Sequence, residues 1–228
     1  MAIVLHLGAK LLYIHYGNVV MKTYYPVYYS ALNSTDESIE VIMKIRVKNK
    51  WNDKSKVRTP EETGSVLSFN FWKIASANVM HMENEGFQTD THFMRLDVIA
   101  EFTAFLVHVV DRVISSKDYS VEDRQALITG LALNLAKTMH DNRRDVSDDK
   151  ETDFRAEYIA LMNQRMNEYS RFTFEEDNQP GFQVRRCVGE HVRDVMGEKD
   201  NKWIPDQVID IEIPDAMKAF KKVTRGVL

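Results

Sequence analysis

The sequence predicts a mainly α-helical fold: one bundle of five or six helices over residues 59–228, preceded by an N-terminal arm, residues 1–58, that is a β-hairpin or extended. Three observations point there. The chain of 228 residues holds only 9 Gly and 5 Pro, too few turn formers for an all-β protein of this length. Helix-start signals recur from Thr59 onward. At the same place the apolar period changes from two to about 3.6, the difference between a strand and an amphipathic helix.

In the arm, IVLHLG (3–8) and KLLYIHYG (10–17) are apolar runs of strand length on either side of Gly8-Ala9, which suggests a hairpin. TYYPVYYSAL (23–32) is aromatic and broken by Pro26, as an edge strand or extended segment is. In IEVIMKIRVKNKW (39–51), Ile45 and Val47 fall on one face of a strand and Lys44, Arg46, Lys48 and Lys50 on the other. The first twenty residues lack the leading positive charge and small-residue cleavage site of a signal peptide. They are also too short and too broken by His6, Gly8 and Lys10 to span a membrane. Met21 would serve as an alternative start, leaving 1–20 as an extension.

From Thr59 the signals are helical. TPEE supplies an N-cap threonine, a proline at the first helical position and Glu62 for a capping box; this helix is expected to reach about Glu85 and stop near Gly86. A second helix, about 90–116, is apolar on nearly every face and should be the most buried. Ser120 caps a third, running to about Asp141. The charged run DNRRDVSDDKETD is expected to be a loop leading into a fourth helix through FRAEYIALMNQRMNEYSRF. A fifth spans 180–197 and stops at Gly197, and a last one begins at Pro214. The core is expected to form around the second and fourth helices, from Trp72, Leu96, Ile99, Phe102, Phe105, Leu106, Val109, Leu131, Leu135, Ile159, Leu161 and Met162.

Composition narrows the class. Apolar residues make up 44% and charged residues 28%, as in a folded globular protein rather than a disordered one. One cysteine, Cys187, excludes an internal disulfide framework and suits a reducing compartment, so a cytoplasmic location is expected. Residues 1–58 carry nine Lys/Arg against four Asp/Glu, and the remainder 21 against 30. Arm and body are therefore opposite in sign, although the whole chain stands at −4. No P-loop, dinucleotide fingerprint or nucleophile elbow occurs. No Glu-x-x-His occurs either, which excludes a ferritin-like di-metal site.

Several groups of residues invite chemistry. Lys44, Arg46, Lys48 and Lys50, with Trp51 as a stacking surface, would suit a phosphate backbone. However, the body is acidic and no recognition module is readable, and lysines also guard an exposed strand edge against pairing with another chain. The second of those readings is preferred. A different signal lies in HVVDRVISSKDYSVEDRQALITGLALNLAKTMHDN (108–142). It resembles the core of HD-type phosphohydrolases, in which a histidine on one helix and a His-Asp pair ending a later helix share a metal. The resemblance implies that His108, His140 and Asp141 would hold a divalent metal that activates water against a phosphoester. Asp194 or Asp206 would be the candidate distant aspartate. Asn142-Arg143-Arg144 depart from the family, which turns apolar or to glycine there.

Asp97, Glu101, His108 and Arg112 form a polar stripe on the second helix. It is expected to face solvent, with Glu101 exposed and His108 loosely paired to Asp111 or Arg112. Met80-His81-Met82 offers soft ligands, but adjacent helical residues diverge, so methionine packing explains it better. Cys187 lies on an apolar stripe with Val184, Val188 and Val195 and is expected to be inert, although Arg185 and Arg186 could lower its pKa.

The leading expectation is a non-enzymatic binding or assembly protein that self-associates, or meets a protein partner, through its arm. TYYPVYY places four tyrosines in seven residues, a composition common at interfaces. Neither a cofactor nor a membrane is expected. The metal-dependent phosphohydrolase and nucleic-acid binding through 44–58 are the alternatives.

Overall fold

The computed structural model describes residues 10–16, 19–25, 58–175, 179–197, 199 and 202–228. The chain divides into two compact units, Met1–Asp53 and Lys54–Leu228. In the first, β1 (Lys10–Tyr16) pairs antiparallel with β2 (Val19–Tyr25), from Lys10 opposite Tyr25 to Tyr16 opposite Val19. The partner of the KLLYIHY run is thus the run that follows it, not the one before Gly8-Ala9. Gly17-Asn18, the pair between the strands, is a two-residue hairpin signal of the kind that selects this register. Lys44, Arg46, Lys48, Lys50 and Trp51 lie outside the described residues, as do 3–8 and 26–51.

The second unit is mainly α-helical, and Thr59 and Ser120 cap helices as the sequence led one to expect. Helix α1 (Pro60–Asn84) starts with the Thr59 hydroxyl accepting from the Glu62 amide at 3.2 Å. Helix α2 (His92–Ser115) starts likewise at Thr91, and α3 (Val121–Val146) at Ser120. A free side-chain oxygen at this position satisfies one of the helix's orphan amides. Helix α3 runs past the expected Asp141. Arg143 and Arg144, read as loop, occupy its last turn, where cations are favoured by the helix dipole. Arg143 also ties Asp97 of α2 to Glu157 of α4 (Phe154–Tyr169).

Helix α5 (Phe182–Met196) ends at Gly197, whose φ of 79° is one that side chains disfavour. The last rod begins earlier than expected. α6 (Ile204–Gln207), with Pro205 in its first turn, passes through a π-helical turn (Val208–Glu212) into α7 (Ile213–Thr224). Pro214 has no amide to bond the carbonyl four residues back, and the wider turn lets the helix continue past it.

Helix α2 is the axis of the bundle. Every residue from Val98 to Val110 is buried, and α1, α3, α4 and α5 all pack on it. The expectation that α4 shares the centre fails. Only Phe154, Tyr158, Met162, Arg165 and Tyr169 of α4 are buried, and Ile159 and Leu161 are partly exposed. Its exposed residues at 155–157, 163 and 164 leave one narrow apolar stripe, so it lies on the outside of α2 and α3. Among the described residues no helix is long and apolar enough to cross a membrane.

Candidate functional site

Two places bring together residues that could engage a ligand. The first is a polar ladder between α2, α4 and α5. Glu101, 1% exposed on the central helix, accepts two hydrogen bonds from Arg165 of α4, at 2.7 and 2.8 Å. A carboxylate buried this deeply requires such a fork, since an unpaired charge there costs several kcal/mol. Arg165 also donates to Glu168 at 3.2 Å. Glu168 in turn accepts from Gln164 at 2.9 Å and stands 2.7 Å from His191 Nε2 on α5. The same Nε2 lies 3.5 Å from Cys187 Sγ, one helical turn back.

The ligand atoms of Glu168, Cys187 and His191 all lie within 4.8 Å of one another, the one such grouping among the described residues. Burial works to raise the Glu168 carboxyl, but the Gln164 hydrogen bond and the charges of His191 and Arg165 outweigh it and hold it below its usual range. Burial, reinforced by Glu168, pushes the Cys187 thiol up. Arg185 and Arg186, which could have lowered it, do not. Beside this group, Tyr169 is fully buried and its hydroxyl has no hydrogen-bond partner. Burial, with the charges of Glu101, Cys187 and Glu168, pushes that hydroxyl far up.

The second place lies on α6 and the π turn. Phe87, Trp203, Asp206, Gln207, Asp210 and Ile211 line an open hollow of about 370 Å³. Trp203 is 65% exposed at its edge and Ile211 39%. Glu212, buried at the end of the π turn, accepts from Gln207 at 2.9 Å and pairs with His81 of α1 at 2.7 Å. The Glu212 hydrogen bond raises the His81 pKa. The Asn78 amide also donates to the Glu212 carbonyl at 3.3 Å. These bonds anchor the π turn to α1 and turn Asp206, Asp210 and Ile211 outward.

The residues singled out by sequence fall as follows. The polar stripe of α2 does not face solvent along its middle: Glu101 and His108 are buried, Asp97 is half-buried, and only Arg112 is exposed. Glu101 is buried with Arg165, and His108, 2% exposed, has neither nitrogen bonded. Its ring packs on Tyr169 and Phe174, with centroids at 5.6 and 5.4 Å, and burial pushes its pKa down to about 4. Arg112 lies over the Phe174 ring at 5.5 Å. The sequence pattern misled here because α2 is covered on every side from Val98 to Val110, so Glu101 and His108 are enclosed by the neighbouring helices rather than turned to water.

His108 and His140 are not brought together. His108 rests on Tyr169, the last residue of α4, whereas His140 packs on Phe154, the first, and stands 3.5 Å from Asp153 without a hydrogen bond. Sixteen helical residues separate those ends by about 22 Å, beyond the reach of one ion. Asp141 is exposed. Asp194 pairs with Arg193 at 2.8 Å, and Asp206 lies on the hollow. In the Met80-His81-Met82 run, Met80 is exposed, Met82 is buried and His81 turns to Glu212.

Sequence reasoning missed Arg165, Glu168, Tyr169 and His191. The Cys187/His191 spacing of four was a readable signal for a shared helix face. Glu168 and Tyr169 join them only across a helix–helix contact. Comparison of the chain with protein-family models, curated proteins and solved structures found no match.

Proposed function

We propose that the protein is a non-enzymatic binding and assembly module, and that the hollow around Trp203 takes the basic, aromatic segment 43–58 of a second copy of the chain. The observation that carries this reading is an exposed tryptophan beside Phe87 and Ile211, flanked by Asp206 and Asp210. Large exposed aromatic side chains at an apolar hollow are unfavourable in water and favourable under a partner. The two carboxylates select a cation, which the indole face also attracts. Segment 43–58 has the matching chemistry: seven Lys/Arg, Trp51 and a single acid, Asp53. Charge of this kind steers encounter and fixes the choice of partner.

The test is the mass of the full chain in solution by analytical ultracentrifugation over a concentration series. Wild type should form a dimer or larger assembly. Reversing both acids (Asp206→Lys with Asp210→Lys) should separate the copies, and adding Lys48→Glu with Lys50→Glu should bring them back together. A monomeric wild type, or an assembly indifferent to the reversals, would refute the proposal.

A further inference from the structure

We infer that Glu168, Cys187 and His191, in the seam between α4 and α5, form a binding site for one divalent thiophilic metal ion of the zinc type. It shares no residue with the Trp203 hollow and stands or falls independently of the assembly reading.

The donor set is the first support. One thiolate, one imidazole and one carboxylate suit a borderline ion such as Zn²⁺, whereas Mg²⁺ and Ca²⁺ take oxygen ligands. The direction of the donors is the second. A nucleophilic triad engages both imidazole nitrogens, one toward the nucleophile and one toward the carboxylate. Here Nε2 alone faces both the thiol and the carboxylate, so the three groups converge on one point. Spacing agrees. Bonds of about 2.3 Å to sulfur and 2.0 Å to nitrogen give a tetrahedral S–N edge of about 3.5 Å, and Cys187 Sγ lies 3.5 Å from His191 Nε2. The Glu168–His191 approach of 2.7 Å would open by about 0.7 Å to admit the ion, given metal–oxygen bonds near 2.1 Å.

The surroundings supply independent support. Tyr169, wholly buried with its ring centroid 6.3 Å from that of His191, leaves its hydroxyl without a partner. An orphan hydroxyl is costly, and a water in the fourth coordination position would satisfy it. Charge balances as well: Glu168 and the Cys187 thiolate neutralise an ion of charge +2, while Glu101 already neutralises Arg165. Gln164 and Arg165 hold the Glu168 carboxylate in place, the outer support such ligands need. Finally, the Glu168 side chain is 27% exposed and that of His191 18%, which leaves the ion a way in. Binding forms a metal–sulfur bond and releases the thiol proton to solvent, so affinity rises with pH by about tenfold per unit while the thiol is protonated.

The experiment titrates the reduced, chelator-treated full chain with Co²⁺ and then Zn²⁺. Because the chain has a single cysteine, a thiolate-to-cobalt charge-transfer band reports Cys187 alone. One equivalent of Co²⁺ should produce the band, Zn²⁺ should abolish it and excess Mg²⁺ should not. Cys187→Ser should lack the band, and His191→Gln and Glu168→Gln should each bind more than about 100-fold more weakly, exceeding the loss typical of an outer-shell change. In wild type, Zn²⁺ should also slow alkylation of the thiol by iodoacetamide, a readout that needs no variant to fold. A wild type with no band at stoichiometric cobalt and no protection by zinc overturns the inference. So does equal affinity in folded His191→Gln.

Discussion

At the scale of single residues, the buried titratable groups of this bundle are of two kinds. Glu101 and Arg165 satisfy one another. Removing the arginine's partner by Glu101→Ala should destabilise the fold by about 3–5 kcal/mol in urea titrations; a loss below about 1 kcal/mol would mean that the pair is solvated. His108 is satisfied by nothing but aromatic packing. Its pKa of about 4 when folded lies below the ordinary 6.5, chiefly through burial, with Asp111 opposing and Arg112 assisting. Between those values the unfolded chain binds a proton that the folded chain does not. This contribution to stability is therefore complete above about pH 6.5 and falls by about 3 kcal/mol as acid brings the solution to about pH 4. His108→Phe should lose correspondingly less stability than wild type between pH 7 and pH 4.5, measured by urea denaturation at both.

At the scale of elements, caps and breakers were legible because they act over three or four residues. Thr59, Ser120 and Gly197 each do locally what their chemistry dictates. Packing between helices was not legible, and α1 against α3 shows why. A methyl group on Gly64 would sit 2.6 Å from the Leu127 carbonyl oxygen and 2.8 Å from the Leu131 amide nitrogen, so this glycine is where the two backbones meet. Gly64→Ala should lower stability by about 1–3 kcal/mol despite alanine's better helix propensity, read as a lower melting temperature. An unchanged or raised value would mean that the helices separate without cost. Equally hidden was the π turn at 208–212, the device by which the chain passes Pro214 and presents Asp206 and Asp210 on the hollow.

At the scale of the whole molecule, the division of charge between a basic arm and an acidic body supports the assembly proposal. The body, 54–228, has its own core, so deletion of 1–58 should leave its helical circular dichroism intact while abolishing the assembly. Because exposed charges are screened beyond about 8 Å at physiological salt, the wild-type assembly should also weaken as salt rises. An assembly that persists without the arm would assign the interface elsewhere.

The sequence by itself determined the helical class, the capped starts of α1 and α3, the central place of α2 and the segregation of charge. All of these follow from composition and from spacings within one turn or one strand. Only the tertiary structure decided that Glu101 faces Arg165 rather than water, and that His108 and His140 sit at opposite ends of α4. It alone brought Cys187 and His191 to Glu168 and Tyr169. Those relations join residues tens of positions apart, and which helix faces meet depends on the packing of the whole core, which no local spacing encodes.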